Sequence, residues 1–383
     1  NAAFGHAALE ENTSGNLNAA FGRTALEANT TGNRNTATGA QAMQKNTSGC
    51  FNTASGYLAA HCNQTGMHNT AIGANSLRYA DDCYNTAVGD SALRHTTTGE
   101  SNVAVGRAAL CNNTSGEKNV AMGCRAMVTN TTGKCNTAVG PSALFYNTSG
   151  CHNTALGVDA LLDNTTANGN TAVGGCSLSS NTSGSCNTAV GYEALCAATT
   201  AHYNTAVGAR ALCSATTGYY NTAVGTFSLD ALTTGAVNVA LGQVSLSSLT
   251  TGLRNTATGY GSLQMQTTAC NNTASGYRAA RCTTTGGNNS IFGNQALLKN
   301  TTGANNVAIG HNALYCNTTA GENTAVGVCA LFANSTGARN TAVGAHSLDA
   351  NTTGSCNVAV GYKSLDTNTT GSTNTAVGNY SLQ

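Results

Sequence analysis

The sequence predicts an all-β chain, a parallel β-solenoid in which one 17-residue repeat makes one coil, and three observations carry that prediction. The pentapeptide NTAVG and its variants recur from Asn1 to Asn374 in 23 copies, with 21 intervals of 17 residues and one of 16, between Asn69 and Asn85. A unit of this length is too short for a pair of helices, which takes about 33 residues, and too short and leucine-poor for a leucine-rich repeat. Finally, the consensus N T A V G x x A/S L x x N T T G x x alternates short apolar or β-branched stretches with glycine corners. The repeat fills residues 1–383, so a single continuous array is expected rather than separate globular domains. With coils about 4.8 Å apart, its 22 intervals make a rod on the order of 105 Å long. No start Met or cap is visible, and the expectation is a segment of a longer chain.

Column by column, positions 1 to 4 read as a short strand. Column 5 is Gly in all 23 copies, from Gly5 to Gly378, which points to a positive φ or to backbone too close for a Cβ. Column 9 is Leu in 19 copies, replaced by Met43, Met127, Ala60 and Ala280. Column 15 is mostly Gly and closes a turn. Two coils lose the column-4 and column-9 apolar residues together, as Ser55 with Ala60 and Ser275 with Ala280. From this, columns 4 and 9 are expected to share the interior, which places the column-3 Ala ladder on an outer face by strand alternation.

Composition excludes several classes. Sixteen Lys and Arg against 15 Asp and Glu leave no basic field for nucleic acid or anionic lipid, and no apolar run is long enough to span a bilayer as a helix. The eight His residues fall in variable columns, Asp81 and Asp82 are neighbours only in the irregular coil, and no loop insertion builds a cleft. No catalytic, cofactor or metal site is therefore expected, and the chain reads as a non-enzyme.

Sixteen cysteines with few charges and no CxxC suggest disulfides in an oxidising compartment. Cys196 and Cys213 share a column in consecutive coils and are expected to pair. Recurring spacings further suggest Cys50 with Cys62, Cys270 with Cys282, Cys111 with Cys124, Cys316 with Cys329, and Cys135 with Cys151. Cys176 with Cys186 is left open, and Cys83 and Cys356 are unassigned.

Column 12 is Asn in 14 copies, each the start of a glycosylation sequon: Asn12, Asn29, Asn46, Asn63, Asn113, Asn130, Asn147, Asn164, Asn181, Asn300, Asn317, Asn334, Asn351 and Asn368. Covalent N-glycans in single file along one edge are the expectation, and the alternative is an Asn ladder whose amides bond from coil to coil. Further sequons start at Asn112, Asn271, Asn288 and Asn379. From Asn187 to Gly287 column 12 carries Ala198, Ala215, Leu232, Leu249, Gln266 and Thr283, which reads as a docking patch or as drift.

The NTAVGxxALxxNTTG unit resembles the repeats of phage tail-fibre shafts and the head repeats of YadA-type trimeric autotransporter adhesins, along the whole chain. The resemblance implies a left-handed β-roll, an extracellular or secreted location on a cell or virion surface, and a structural or adhesive role. It also implies homotrimerisation, although the adhesin repeat is shorter and those proteins generally lack cysteines. The functional expectation is an extracellular fibre or shaft that self-associates into a filament. An adhesive stalk recognising surface glycans is one alternative. An ice-binding solenoid is the other, since column 2 is Thr in 15 copies, although Val in five copies points to a semi-buried β-branched column rather than a regular hydroxyl array.

Overall fold

A computed structural model describes residues 1–382 and contains no α-helix among them. The chain divides into two compact units, 1–187 and 188–383. The first carries strands β1 (Ala2–Phe4) to β11 (Thr171–Val173), the second β12 (Thr188–Val190) to β23 (Thr375–Val377). Each unit is a stack of coils, and each coil contributes one three-residue strand at columns 2 to 4. Within each unit neighbouring strands pair in parallel with every residue opposite its own column, as Thr154 to Thr171 in the first and Thr205 to Thr222 in the second. The β-solenoid expectation is met in both.

The columns that face inward differ from the expected set. Column 9 is interior, with Leu26, Leu77, Leu212 and Leu314 fully buried. Column 3 is interior as well, not exterior: Ala37, Ala138, Ala206 and Ala342 have no exposed surface, and Ile291 fits the same column. Column 4 points outward, leaving Ile72, Met122, Val224, Leu241 and Phe292 exposed. Strand alternation holds; the phase is reversed. The inference from Ser55 with Ala60 and Ser275 with Ala280 fails because those losses lie on opposite faces. In the first of these coils Leu58, at column 7, is buried to 6% exposure near the missing leucine's place in the chain.

Simple alternation also fails after the glycine corner, where columns 8 and 9 are both interior, as in Ala211 and Leu212. The backbone accounts for this. Columns 7, 9 and 17 sit in the left-handed region in coil after coil, for example Arg210 at φ 55°, Leu212 at 53° and Tyr220 at 54°. A left-handed residue flips the chain between neighbours, so two consecutive side chains enter the core. The conformation costs on the order of 1 kcal/mol per L-residue. It persists because its amide is bonded to an adjacent coil: Leu212 N–H donates to Ser228 O at 3.0 Å and Arg210 N–H to Tyr192 O at 2.9 Å. Column 5 requires glycine on two counts. Gly208 has φ 131°, and a Cβ there would lie 2.7 Å from the carbonyl carbon of Gly225 in the next coil.

The 16-residue coil keeps register, with β5 (Thr70–Ile72) opposite β6 (Thr86–Val88). The missing residue is absorbed in the turn. In regular turns three consecutive amides converge on one carbonyl of the next coil, as Thr47, Ser48 and Gly49 do on Gln64 O. At the short coil the Asp81 carboxylate replaces that carbonyl, accepting from the amides of Gln64, Thr65 and Gly66 at 2.9, 2.6 and 3.2 Å.

These placements separate two substitutions in one coil. Leu212→Ala removes a fully buried side chain and is expected to cost roughly 2 to 5 kcal/mol. Val207→Thr, on the outward column, is expected to stay within about 0.5 kcal/mol. Urea unfolding of both variants checks the order, and equal losses would restore a buried column 4.

Candidate functional site

The interior holds two files of amides. Column 1 is Asn in every copy, and in each stack these side chains are buried apart from the terminal coils. The Asn35 Oδ1 accepts from the Asn52 amide of the next coil at 3.0 Å, while its Nδ2 donates to Gly49 O of its own coil at 2.7 Å. Column 12 forms the second file: Asn147 Nδ2 donates to Asn130 Oδ1 at 2.7 Å and Asn164 Nδ2 to Asn147 Oδ1 at 2.8 Å. Both files meet on the column-15 carbonyl. Gly32 O receives Asn18 Nδ2 at 2.7 Å and Asn29 Nδ2 at 3.1 Å, and Gly354 O receives Asn340 at 2.8 Å and Asn351 at 2.9 Å. The junction is tight at Gly49, where a Cβ would sit 2.5 Å from Asn46 Oδ1, yet Ala takes column 15 in other coils with the junction intact, Ala167 O receiving Asn153 and Asn164 Nδ2.

The geometry corrects the glycan expectation at column 12. Asn29, Asn46, Asn63, Asn113, Asn130, Asn147, Asn164, Asn181, Asn300, Asn317, Asn334 and Asn351 are buried, and Asn12 and Asn368 are half-buried near the ends of their stacks. A glycan needs the same Nδ2 that the ladder uses, and a folded coil has no room beside it. The ladder alternative describes these residues. The sequon-free run is interior too: Ala198, Ala215, Leu232 and Leu249 are fully buried, so apolar side chains replace amides in the core and no outer patch results. Gln266 restores the pattern, its Nε2 donating to Ala269 O at 2.9 Å. The additional sequon residues Asn112, Asn271, Asn288 and Asn379 are exposed.

Five of the six expected disulfides are also corrected. In-register stacking brings together residues 17 apart, or 16 apart only across the short coil, whereas the other pairs join different columns. Cys50 Sγ accepts from the Asn33 amide at 3.3 Å, and Cys62 Sγ lies 3.3 Å from His61 Nδ1. Cys111 lies 4.0 Å from His95 Nδ1, Cys124 3.8 Å from the Arg107 guanidinium and Cys316 3.9 Å from Lys299 Nζ. The sulfurs of Cys151 and Cys270 accept from the amides of Lys134 and Leu253, both at 3.3 Å. Cys135, Cys282 and Cys329 are likewise thiols. The argument for an oxidising compartment loses this support. Cys196 and Cys213 do meet, with sulfurs 3.2 Å apart and not bonded.

The outward strand face is the most regular surface, with column 2 supplying mainly Thr and column 4 mainly Val. Thr hydroxyls at column 13 donate to the next coil's carbonyl, as Thr131 Oγ1 does to Thr148 O at 3.0 Å and Thr233 Oγ1 to Thr250 O at 3.1 Å. No column-2 Thr hydroxyl is engaged in this way among the described residues. Reversed alternation is what hid this face from the sequence reading, since a buried column 4 leaves no Thr-x-Val surface.

One buried ionisable group stands apart. Asp82, 5% exposed, takes the column-15 role in the short coil: its carbonyl accepts from Asn69 Nδ2 at 2.6 Å and its Oδ1 from Asn85 Nδ2 at 2.7 Å. Its Oδ2 is buried without a partner. Burial raises its pKa from 3.8 to about 7, against the Asn85 hydrogen bond, which lowers it. Among the described residues no group of three or more His, Cys, Asp or Glu is placed to hold a metal, and no helix is long and apolar enough to cross a membrane. No family model and no curated protein matches the chain.

Two predictions follow from these interiors. Asn147→Ala leaves Asn130 Oδ1 without its donor and Asn164 Nδ2 without its acceptor in the file, while Gly150 O keeps Asn136 Nδ2; the expected loss is about 1–3 kcal/mol for the orphaned Asn130 oxygen, with Asn147→Asp worse and increasingly so as pH rises. Denaturant titration at two pH values checks both. For Asp82 the folded chain holds a proton that the unfolded chain releases near pH 3.8, so the group's contribution is fully present below that pH. It is lost as pH rises toward about 7, at about 1.4 kcal/mol per pH unit, and is flat above. Asp82→Asn should flatten that slope and stabilise the chain most at pH 8; parallel pH profiles would refute the assignment.

Proposed function

We propose that the chain is a structural shaft, the repeated part of a surface fibre. The observation that carries this reading is the in-register stacking of each unit, in which every strand, turn and interior amide file is bonded to the coil above and the coil below. Such a stack distributes tension along its length through many equivalent bonds, as the quasi-one-dimensional energetics of repeat arrays require. The NTAVG and NTTG elements support an extracellular fibre or adhesin-type setting by resemblance, and self-association into a filament belongs to the same reading. Column-12 glycans and a full set of staples form no part of it.

Pulling single molecules by their ends tests the shaft. Force is expected to release the chain in steps of one coil or small multiples, each roughly 17 residues at about 3.4 Å per residue. Extension at low force without steps would overturn it.

The outward Thr-x-Val face favours a second reading, an ice-binding solenoid. A flat file of Thr hydroxyls beside Val methyls, repeating at the coil spacing of about 4.8 Å, is suited to holding an ordered water layer. Five Val in column 2 shorten the hydroxyl file to blocks; in the second unit Thr188, Thr205 and Thr222 follow one another before Val239 interrupts. Thermal hysteresis that is abolished by Thr205→Tyr supports this reading, and its absence at millimolar protein removes it.

A further inference from the structure

Among the cysteines, Cys196 and Cys213 alone occupy one column, column 10, in neighbouring coils. Both lie in the second unit. Their sulfurs are 3.2 Å apart, and Cys196 Sγ also points at the Cys213 carbonyl, 3.6 Å away. Cys213 is 8% exposed and Cys196 half-buried. The neighbouring columns carry the charge. Arg210, three residues before Cys213, acts on it electrostatically; Arg210 Nε lies 3.6 Å from Glu193 Oε2 and its guanidinium over the Phe227 ring at 5.4 Å. Asp230 stands at column 10 of the following coil, and Arg210 also lies within its field.

We propose that Cys213 and Cys196 form a two-cysteine redox site, in which Cys213 is the nucleophile toward a hydroperoxide and Cys196 the resolving thiol. The geometry distinguishes the two sulfurs. Either sulfur can donate across their contact, but Cys196 Sγ also donates to the Cys213 carbonyl at 3.6 Å, which keeps the proton on Cys196, and the Arg210 charge favours the anion on Cys213. In agreement, the Cys196 hydrogen bond and then Arg210 hold the Cys213 thiol below its ordinary value, while the same hydrogen bond pushes Cys196 up. The Cys213 thiolate attacks the terminal peroxide oxygen; the O–O bond breaks, an S–O bond forms, and the leaving alkoxide or hydroxide takes up a proton to depart as alcohol or water. Cys196 then loses its proton and attacks the Cys213 sulfenic sulfur, forming S–S and releasing water. The two thiols are oxidised and the peroxide is reduced. Two equivalents of a small thiol reverse the bond by exchange and leave as their own disulfide. Closing from 3.2 Å to a bond of about 2.05 Å takes a side-chain adjustment within one rung.

This site does not depend on the shaft reading. The full chain, reduced and then exposed to one equivalent of hydrogen peroxide at pH 7, is quenched with an alkylating agent and cleaved after Glu193 and Arg210. The expected product is peptide 194–210 bonded to peptide 211–254, formed at least tenfold faster than oxidation at any other cysteine. In Cys196→Ser, Cys213 should stop at a sulfenic acid that dimedone traps. Arg210→Gln should move the pH profile of Cys213 alkylation upward while circular dichroism stays unchanged. Oxidation spread evenly over the cysteines, or dimedone trapping at Cys196 in Cys213→Ser at the wild-type rate, would overturn the proposal.

Discussion

The register of one coil on the next is the constraint from which the rest follows. Once residue i lies over residue i + 17, every side chain has its own column as its nearest neighbour, and a residue type is acceptable only if it stacks on itself or on what replaces it. Asn satisfies this inside because its amide is both donor and acceptor, so a file of Asn is closed from coil to coil except at its ends. Ala and Leu satisfy it through packing. Asp does not satisfy it, and the one buried carboxyl among the described residues, Asp82, sits where the short coil breaks the column.

The same constraint explains why exceptions come in blocks. Replacing one Asn in an amide file leaves groups on both sides unpaired, whereas replacing several in succession leaves only two ends. Column 12 of the second unit follows that rule: Ala198, Ala215, Leu232 and Leu249 are consecutive, and Gln266 and Thr283 lead back to the Asn file at Asn300, whose Nδ2 reaches Thr283 Oγ1 at 3.3 Å. A stretch that looks like lost surface sequons is thus a change of core chemistry, with packing taking over from hydrogen bonding.

The period, the glycine corners and the leucine column were legible in the sequence because each depends on spacing alone. The face assignments were not. Alternation predicts that neighbours of a strand residue point oppositely, but it does not say which set is inside, and the left-handed residues at columns 7 and 9 carry no mark in residues as different as Arg210, Cys176 and Leu212. Ala at column 3 was the available clue, since a small residue repeated so strictly fits a narrow interior better than an open face. The Asn columns were ambiguous for another reason: NTTG is at once a sequon, a turn and half of an amide ladder, and only burial separates the three.

Register also governs where local chemistry can arise on such a scaffold. Residues distant in sequence never converge, so a site requires matched side chains in one column or in columns adjacent on the outside. Variable columns 6, 7, 10, 11, 16 and 17 supply these by chance along the array, and most of their combinations are isolated thiols, rings stacked on rings such as Phe51, His68 and Tyr84, or exposed ion pairs such as Lys134 with Glu117. Cys196 and Cys213 differ because one column supplies both reacting atoms and the neighbouring column supplies the charge, Arg210, that separates their roles. A long uniform array can therefore acquire a single reactive rung without disturbing the interior that holds it together.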